Sequence, residues 1–238
     1  MKLVSYSEKN LNLGDVLQTI TLKDFLKNRY NIDISGYCDR KKMNDDMIIN
    51  GWHRNNEEML PKKAFYIGLH SIPEMIINID KNRVIGCRDF FTLNSVKKMG
   101  NYKTILSYCS SITLPVYLGE RNGVQNYYHI DNNIGDDMTF EKRIQMTYDL
   151  IDELKTKELV YTDRLHIGLC CIALGTPVVI YRRKFQQERY SIFYKVPNFP
   201  GFGNVITLES GIKEFMERQF ITAFEIIYEE VLNQKNND

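Results

Sequence analysis

Short apolar runs that pass into helical patterns recur along the whole chain, and this alternation restricts the fold more than any other property of the sequence. Residues 2–7, 32–37, 46–50, 64–69, 83–87 and 104–108 read as strands. Helical periodicity fits residues 15–27, where Val16, Leu17, Ile20 and the Phe25-Leu26 pair share a face. It also fits 73–79 and 89–99, the latter followed by Gly100 as a C′ residue. Beyond Pro115 the order begins again: a strand at 125–130, a helix at 139–154, a strand at 158–161, a helix, and a strand at 178–181. Strand alternating with helix argues for the α/β class, with parallel sheets built from βαβ units. Residues 114–122, with Pro115 and Gly119 ahead of Gly123, separate the two periodic blocks. The last helix, 212–232, carries one apolar stripe (Ile212, Phe215, Met216, Phe220, Ala223, Phe224, Ile227, Val231) that either packs on its own sheet or docks a partner.

A chain of 238 residues with 43% hydrophobic side chains can bury one large core or two small ones. Its net charge of +1 gives no electrostatic reason to expect nucleic acid or an anionic membrane surface. No apolar run reaches spanning length, and the first ten residues lack the apolar centre of a signal peptide, so a cytoplasmic protein without a membrane span is expected. Five cysteines (Cys38, Cys87, Cys109, Cys170, Cys171), odd in number and without C-x-x-C spacing, predict reduced, buried thiols. Histidines at 53, 70, 129 and 166 are scattered, and neither a metal nor a cofactor is expected.

The residues that suggest chemistry sit where strands hand over to helices. Ligands of open α/β sheets bind outside the carboxyl ends of the strands, and a helix N-terminus there favours anions. In Tyr161-Thr-Asp-Arg-Leu-His166, Asp163, Arg164 and His166 fall at such a point. They form either a site or a capping Asp with a surface Arg and a half-buried His. A histidine can serve as acid or base near neutral pH. Gly86-Cys-Arg-Asp89 places Arg88 at a similar edge, where it could hold an anion with Arg164, or pair with Asp89, itself a candidate helix cap. Asn12-Leu-Gly-Asp15 opens the first helix; Gly14 permits close approach, and Asp15 is either a cap or a catalytic carboxylate. Arg182 and Arg189 leave another strand end and are either substrate contacts or solvated charges. Trp52 at a further strand end stacks on a sugar ring or fills the core.

Taken in order, these motifs resemble the polysaccharide pyruvyl transferase family. The matching pieces are Asn12-x-Gly-Asp15, Ile85-Gly-Cys-Arg-Asp89 with Thr92 and Gly100, Leu106-Ser-Tyr-Cys-Ser-Ser-Ile-Thr-Leu114, Thr162-Asp-Arg-Leu-His166 and Ala173-Leu-Gly-Thr-Pro-Val178, spread over residues 3–181. The resemblance implies a GT-B-like α/β fold: two compact Rossmann-like domains with parallel sheets facing a cleft. Residues 1–115 would be the acceptor side, and 116–238 the donor side, with the C-terminal helix packing back. It implies transfer of the enolpyruvyl carbons of phosphoenolpyruvate onto two hydroxyls of a sugar in a surface glycan precursor, giving a pyruvate ketal. The family's donor-site motif maps onto Arg164, Leu165 and His166. His166 is the expected acid, Asp15, Asp89 and Asp163 are candidate bases, and Arg88 stabilises the departing phosphate. Asn12, Gly14, Trp52, Arg182 and Arg189 complete the expected substrate contacts.

The chain departs from the family in being shorter than many members, which leaves acceptor-binding parts missing or supplied by a homo-oligomer. It also has Asn50-Gly-Trp-His53 where a glycine-rich turn is common. Two other functions fit the same architecture: a GT-B-type glycosyltransferase using a nucleotide sugar, and a non-catalytic glycan-binding relative.

Overall fold

The structure, a computed structural model, describes residues 2–5, 13–39, 42–53, 59–127, 138–183 and 187–235. Its elements in chain order are β1 (Lys2–Ser5), α1 (Leu13–Tyr30), β2 (Tyr37–Asp39), β3 (Met47–His53), β4 (Phe65–Ser71), α2 (Pro73–Ile76), β5 (Val84–Cys87), α3 (Phe90–Lys98) and β6 (Lys103–Leu106). They continue with β7 (Val124–Tyr127), α4 (Phe140–Lys155), β8 (Leu159–Thr162), α5 (Leu165–Leu174), β9 (Val178–Ile180), β10 (Val205–Ile206) and α6 (Ile212–Lys235). Among the described residues the strands form two sheets, a six-stranded one ordered β2-β1-β3-β4-β5-β6 and a four-stranded one ordered β10-β9-β8-β7. The first is parallel throughout. The second is mixed: β10 runs antiparallel to β9, a correction to the all-parallel expectation.

In the first sheet the chain goes from β1 outward to β2 and then returns to the other side of β1 at β3. That reversal opens a crevice at the carboxyl ends of β1 and β3, the usual ligand position in doubly wound sheets. Alternating side chains feed two cores. Ile48, Phe65 and Ile67 face the apolar cluster that also holds α1, α4, α5 and α6, while Met47, Ile49 and Tyr66 face the smaller cluster under α2 and α3. The larger cluster contains residues from both sheets' segments, from Leu3 to Val231. Helix α6 lies back across the first sheet: Phe224 packs on Phe65 at 5.5 Å, and Glu230 accepts from the backbone of Val84 and from Lys103.

The central strand β4 is bulged just before its end, one extra residue shifting its register against both neighbours. Gly68, at φ +65°, interrupts the register of β4 against β5, so that Leu69 joins the smaller core where strict alternation would have sent it to the larger. The register of β3 against β4 shifts likewise between Ile49 and Gly51, the latter at φ +85°. Such a bulge re-aims the residues beyond it, here Leu69 and His70 on β4. The strand expected at 32–37 proves to be an irregular segment leading into β2. Helix α1 persists to Tyr30, Asn31 turns at φ +54°, and Ile32 and Ile34 rest on the core without sheet pairing. Apolar alternation thus marked burial there, not a strand. Part of the strand expected at 125–130 lies outside the described residues.

Candidate functional site

Four strand or helix ends meet in one buried polar cluster: the start of α1, the ends of β4 and β5, and the start of α5. Asp15, His70, Arg88 and Asp89 have no exposed surface at all, while Gln18 and His166 are also buried. Burying so many polar groups is unfavourable unless they satisfy one another, and most of them do.

Asp89 is the hub. As N-cap of α3 it accepts at Oδ1 from the backbone N–H and the hydroxyl of Thr92, both at 3.0 Å. Its Oδ2 accepts from His70 Nδ1 at 2.6 Å and from Arg88 Nε at 3.2 Å. Burial alone would raise this carboxyl. The attraction and hydrogen bond of His70, the Arg88 charge and the Thr92 N–H outweigh it and hold Asp89 below the usual carboxylate range. Both oxygens of Asp89, a candidate base, are thus already engaged by hydrogen bonds.

His70 is pushed down to about 4, chiefly by burial, with the Arg88 and Arg189 charges adding to it against the pull of Asp89. It is therefore neutral at pH 7, with the proton on Nδ1 directed at Asp89. Its Nε2 is buried with no hydrogen-bond partner among the described residues. Arg88 Nη2 is buried without a partner as well.

Arg88 also joins the two sheets. Its Nη1 lies 3.5 Å from His166 Nε2 and 3.5 Å from Gln18 Oε1, the outer limit of hydrogen bonding. Burial, followed by the charges of Arg189 and Arg88, holds His166 well below its ordinary value. In the ligand-free site His166 is neutral, and an anion bound beside it would offset those cations. Gly14 supplies the room: a Cβ there would come within 2.5 Å of His166 Nδ1. It is thus a close-approach residue between α1 and α5. Asp15, one residue on, accepts from Gln18 Nε2 at 3.3 Å.

The other expected residues divide. No side chain caps α5; Arg164 is its N-cap, and the Thr162 hydroxyl accepts from the Arg164 N–H at 2.9 Å. An uncapped first turn with an arginine beside it suits an anion. Asp163 caps nothing. It forms a forked ion pair with Arg183, at 2.7 and 3.0 Å, which engages both oxygens of this candidate base. Leu165 is packed in the core. Arg189 sits over the Trp52 ring, 5.7 Å from its centroid, and its charge reaches His70 and His166. Arg182 is exposed over Phe202 and bonded to Gln187, away from the cluster. Asn12 lies outside the described residues.

Sequence reasoning missed His70 and Gln18. A signal existed for His70, since it ends a fully buried strand at the carboxyl edge of the sheet, but its partner Asp89 lies on another strand. Among the described residues no three His, Cys, Asp or Glu side chains gather as metal ligands, and no helix is long and apolar enough to cross a membrane. A separate cleft of about 650 Å³ lies at the far end of α1, lined by Phe25, Pro115, Tyr117, Tyr148 and Ile221, remote from the cluster.

No protein-family model matches the chain, and no protein of curated function matches it either. The fold is similar to the crystal structure of an uncharacterized protein from Klebsiella pneumoniae subsp. pneumoniae, with a TM-score of 0.50 and 18% identity over 81% of this chain and 87% of the other. At that identity the likeness speaks to the fold alone.

Proposed function

We propose that the chain is a pyruvyl transferase that moves the enolpyruvyl carbons of phosphoenolpyruvate onto a sugar hydroxyl pair. The observation that carries this reading is the junction of two distant motifs: Arg88, just past the end of β5, meets His166, in the first turn of α5, and Arg88 Nη2 is buried with no partner among the described residues. A donor bearing both a phosphate and a carboxylate answers that arrangement, with Arg88, Arg164 and Arg189 as counter-charges and the α5 N-terminus as a further anion seat. In this reading the two sheets act as the halves of a GT-B-like cleft, and the protein works in the cytoplasm.

The chemistry follows from the electrostatics. A bound dianion offsets Arg88 and Arg189, the two charges that depress His166, so donor binding raises the proton affinity of the imidazole. His166 then gives a proton to the methylene carbon of the donor, leaving positive charge at the central carbon. One sugar hydroxyl attacks that carbon, the bond to the phosphate oxygen breaks, and phosphate leaves with that hydroxyl's proton. The second hydroxyl closes the ketal as its proton returns to His166. Arg88 and Arg164 stabilise charge on the departing phosphate.

Thermal-shift titration with phosphoenolpyruvate, UDP-sugars and GDP-sugars tests the reading. At a hundredfold its dissociation constant a ligand stabilises a fold by about 2.7 kcal/mol. Stabilisation of the wild type by phosphoenolpyruvate, abolished in Arg164→Ala, is the expected result. A response to a nucleotide sugar alone would move the chain to the glycosyltransferases, and silence towards all three would favour a glycan-binding role.

A further inference from the structure

Buried polar groups are as a rule hydrogen-bonded, yet among the described residues the His70–Asp89 pair satisfies only the ring nitrogen that faces the carboxylate. His70 Nδ1 is locked on Asp89 at 2.6 Å, Asp89 is itself fixed by Thr92 and Arg88, and His70 Nε2 is left without a partner inside the cluster. The ring stands at the carboxyl end of β4, beyond the Gly68 bulge, with Phe91 packed 5.7 Å away. The charged groups acting on it are Asp89 on one side and Arg88 and Arg189 on the other, with His166 in range. A carboxylate that orients an imidazole and leaves its second nitrogen bare is the arrangement of a general base.

We infer that His70, oriented by Asp89, is the base that takes the proton from the hydroxyl attacking the donor. The inference rests on the site being one that transfers a group to a hydroxyl, and not on which donor it uses. In the proposed reaction the hydroxyl oxygen forms its bond to the central carbon of the donor as its O–H proton passes to Nε2. Breaking the bond between that carbon and the phosphate oxygen then releases phosphate, which carries the proton away and returns His70 to its neutral form. His166 and His70 thus divide the work: one gives a proton to carbon, the other takes one from oxygen. The same depressing charges, Arg88 and Arg189, are offset by a bound anion in both cases, so the donor makes His70 basic when it arrives.

Water can stand in for the sugar, giving pyruvate and phosphate from phosphoenolpyruvate. Phosphate release would be followed from pH 5.5 to 8.5 for the wild type, His70→Asn and Asp89→Asn, with thermal shifts by phosphoenolpyruvate on each. Nitrogen-15 NMR of the histidine rings would be recorded in parallel. Asn at position 70 keeps an N–H directed at Asp89 and removes only the base. The expected result is a loss of at least a hundredfold in His70→Asn with the thermal shift by phosphoenolpyruvate retained, and a proton on Nδ1 alone in the wild type. Release within threefold of wild type at every pH, or a ring protonated on Nε2 at pH 7, would overturn the assignment. If phosphoenolpyruvate neither binds to nor reacts with the wild type, the donor reading fails by itself. The ring's protonation then decides: Nδ1–H with bare Nε2 sustains the base, and any other state removes it.

Discussion

Replacing His70 by Asn should change how stability depends on pH, in a direction that reveals the charge state of the buried pair. In the fold His70 is pushed down to about 4, from an ordinary value of 6.5. The unfolded chain therefore takes up a proton below about pH 6.5 that the folded chain refuses until about pH 4. Stability from this group is complete above the higher value and is lost as pH falls through the interval, at up to about 1.4 kcal/mol per pH unit. Between pH 7.5 and 5.0 the loss comes to about 2 kcal/mol, a large part of a typical net stability. The Asp89 carboxyl, held below its usual range, adds its own loss only at lower pH. Asn at position 70 keeps the bond to Asp89, leaves a small cavity that lowers stability at every pH, and abolishes the titration. Urea unfolding followed by circular dichroism at pH 7.5 and 5.0 would show the variant losing about 2 kcal/mol less than the wild type over that interval. Parallel losses in the two proteins would refute the reasoning. A larger loss in the variant would mean that His70 is an imidazolium paired with Asp89, with its proton affinity raised instead of lowered.

Three further perturbations follow from the geometry. Gly14→Ala places a methyl group where His166 Nδ1 now stands at 2.5 Å; the imidazole must move, and the thermal shift by phosphoenolpyruvate should fall at least tenfold in sensitivity while the far-ultraviolet spectrum stays unchanged. Arg121 donates to the carbonyls of Tyr117, Lys155 and Leu174 and to the Thr176 hydroxyl, between 2.6 and 3.0 Å. Arg121→Ala should cost about 2–3 kcal/mol in urea unfolding, because it leaves the C-terminal carbonyls of α4 and α5 without their cation. Asp163→Ala breaks the fork to Arg183 and should lower stability by about 1 kcal/mol, leaving the pH profile of phosphate release unmoved; a shifted profile would point to Asp163 as a working base.

Grouping His70 with Asp89 and His166 with Arg88 changes how the site is read. Four of the expected residues have contacts of their own in the fold: Gly14 makes room for His166, Leu165 packs in the core, Asp163 pairs with Arg183, and Asp89 is bonded to His70. Arg189, which local sequence left as a solvated charge or a contact, adds its charge to the burial that lowers the proton affinity of both histidines.

The sequence by itself determined the α/β class, the position of nearly every strand and helix, and the fact that Asp15, Arg88 and His166 stand where elements hand over. Those features are local: burial of one face or two imposes a period, and caps and glycines mark the ends. Local pattern misled at residues 32–37, where isoleucines rest on the core outside any sheet. Tertiary structure alone decided which ends meet. Arg88 and His166 are 78 positions apart and come together across two sheets. His70 and Asp89, 19 apart, are joined by the pairing of β4 with β5 and a one-residue bulge at Gly68. A bulge turns each later side chain to the opposite face, so the period that marks a strand does not report where its last residues point.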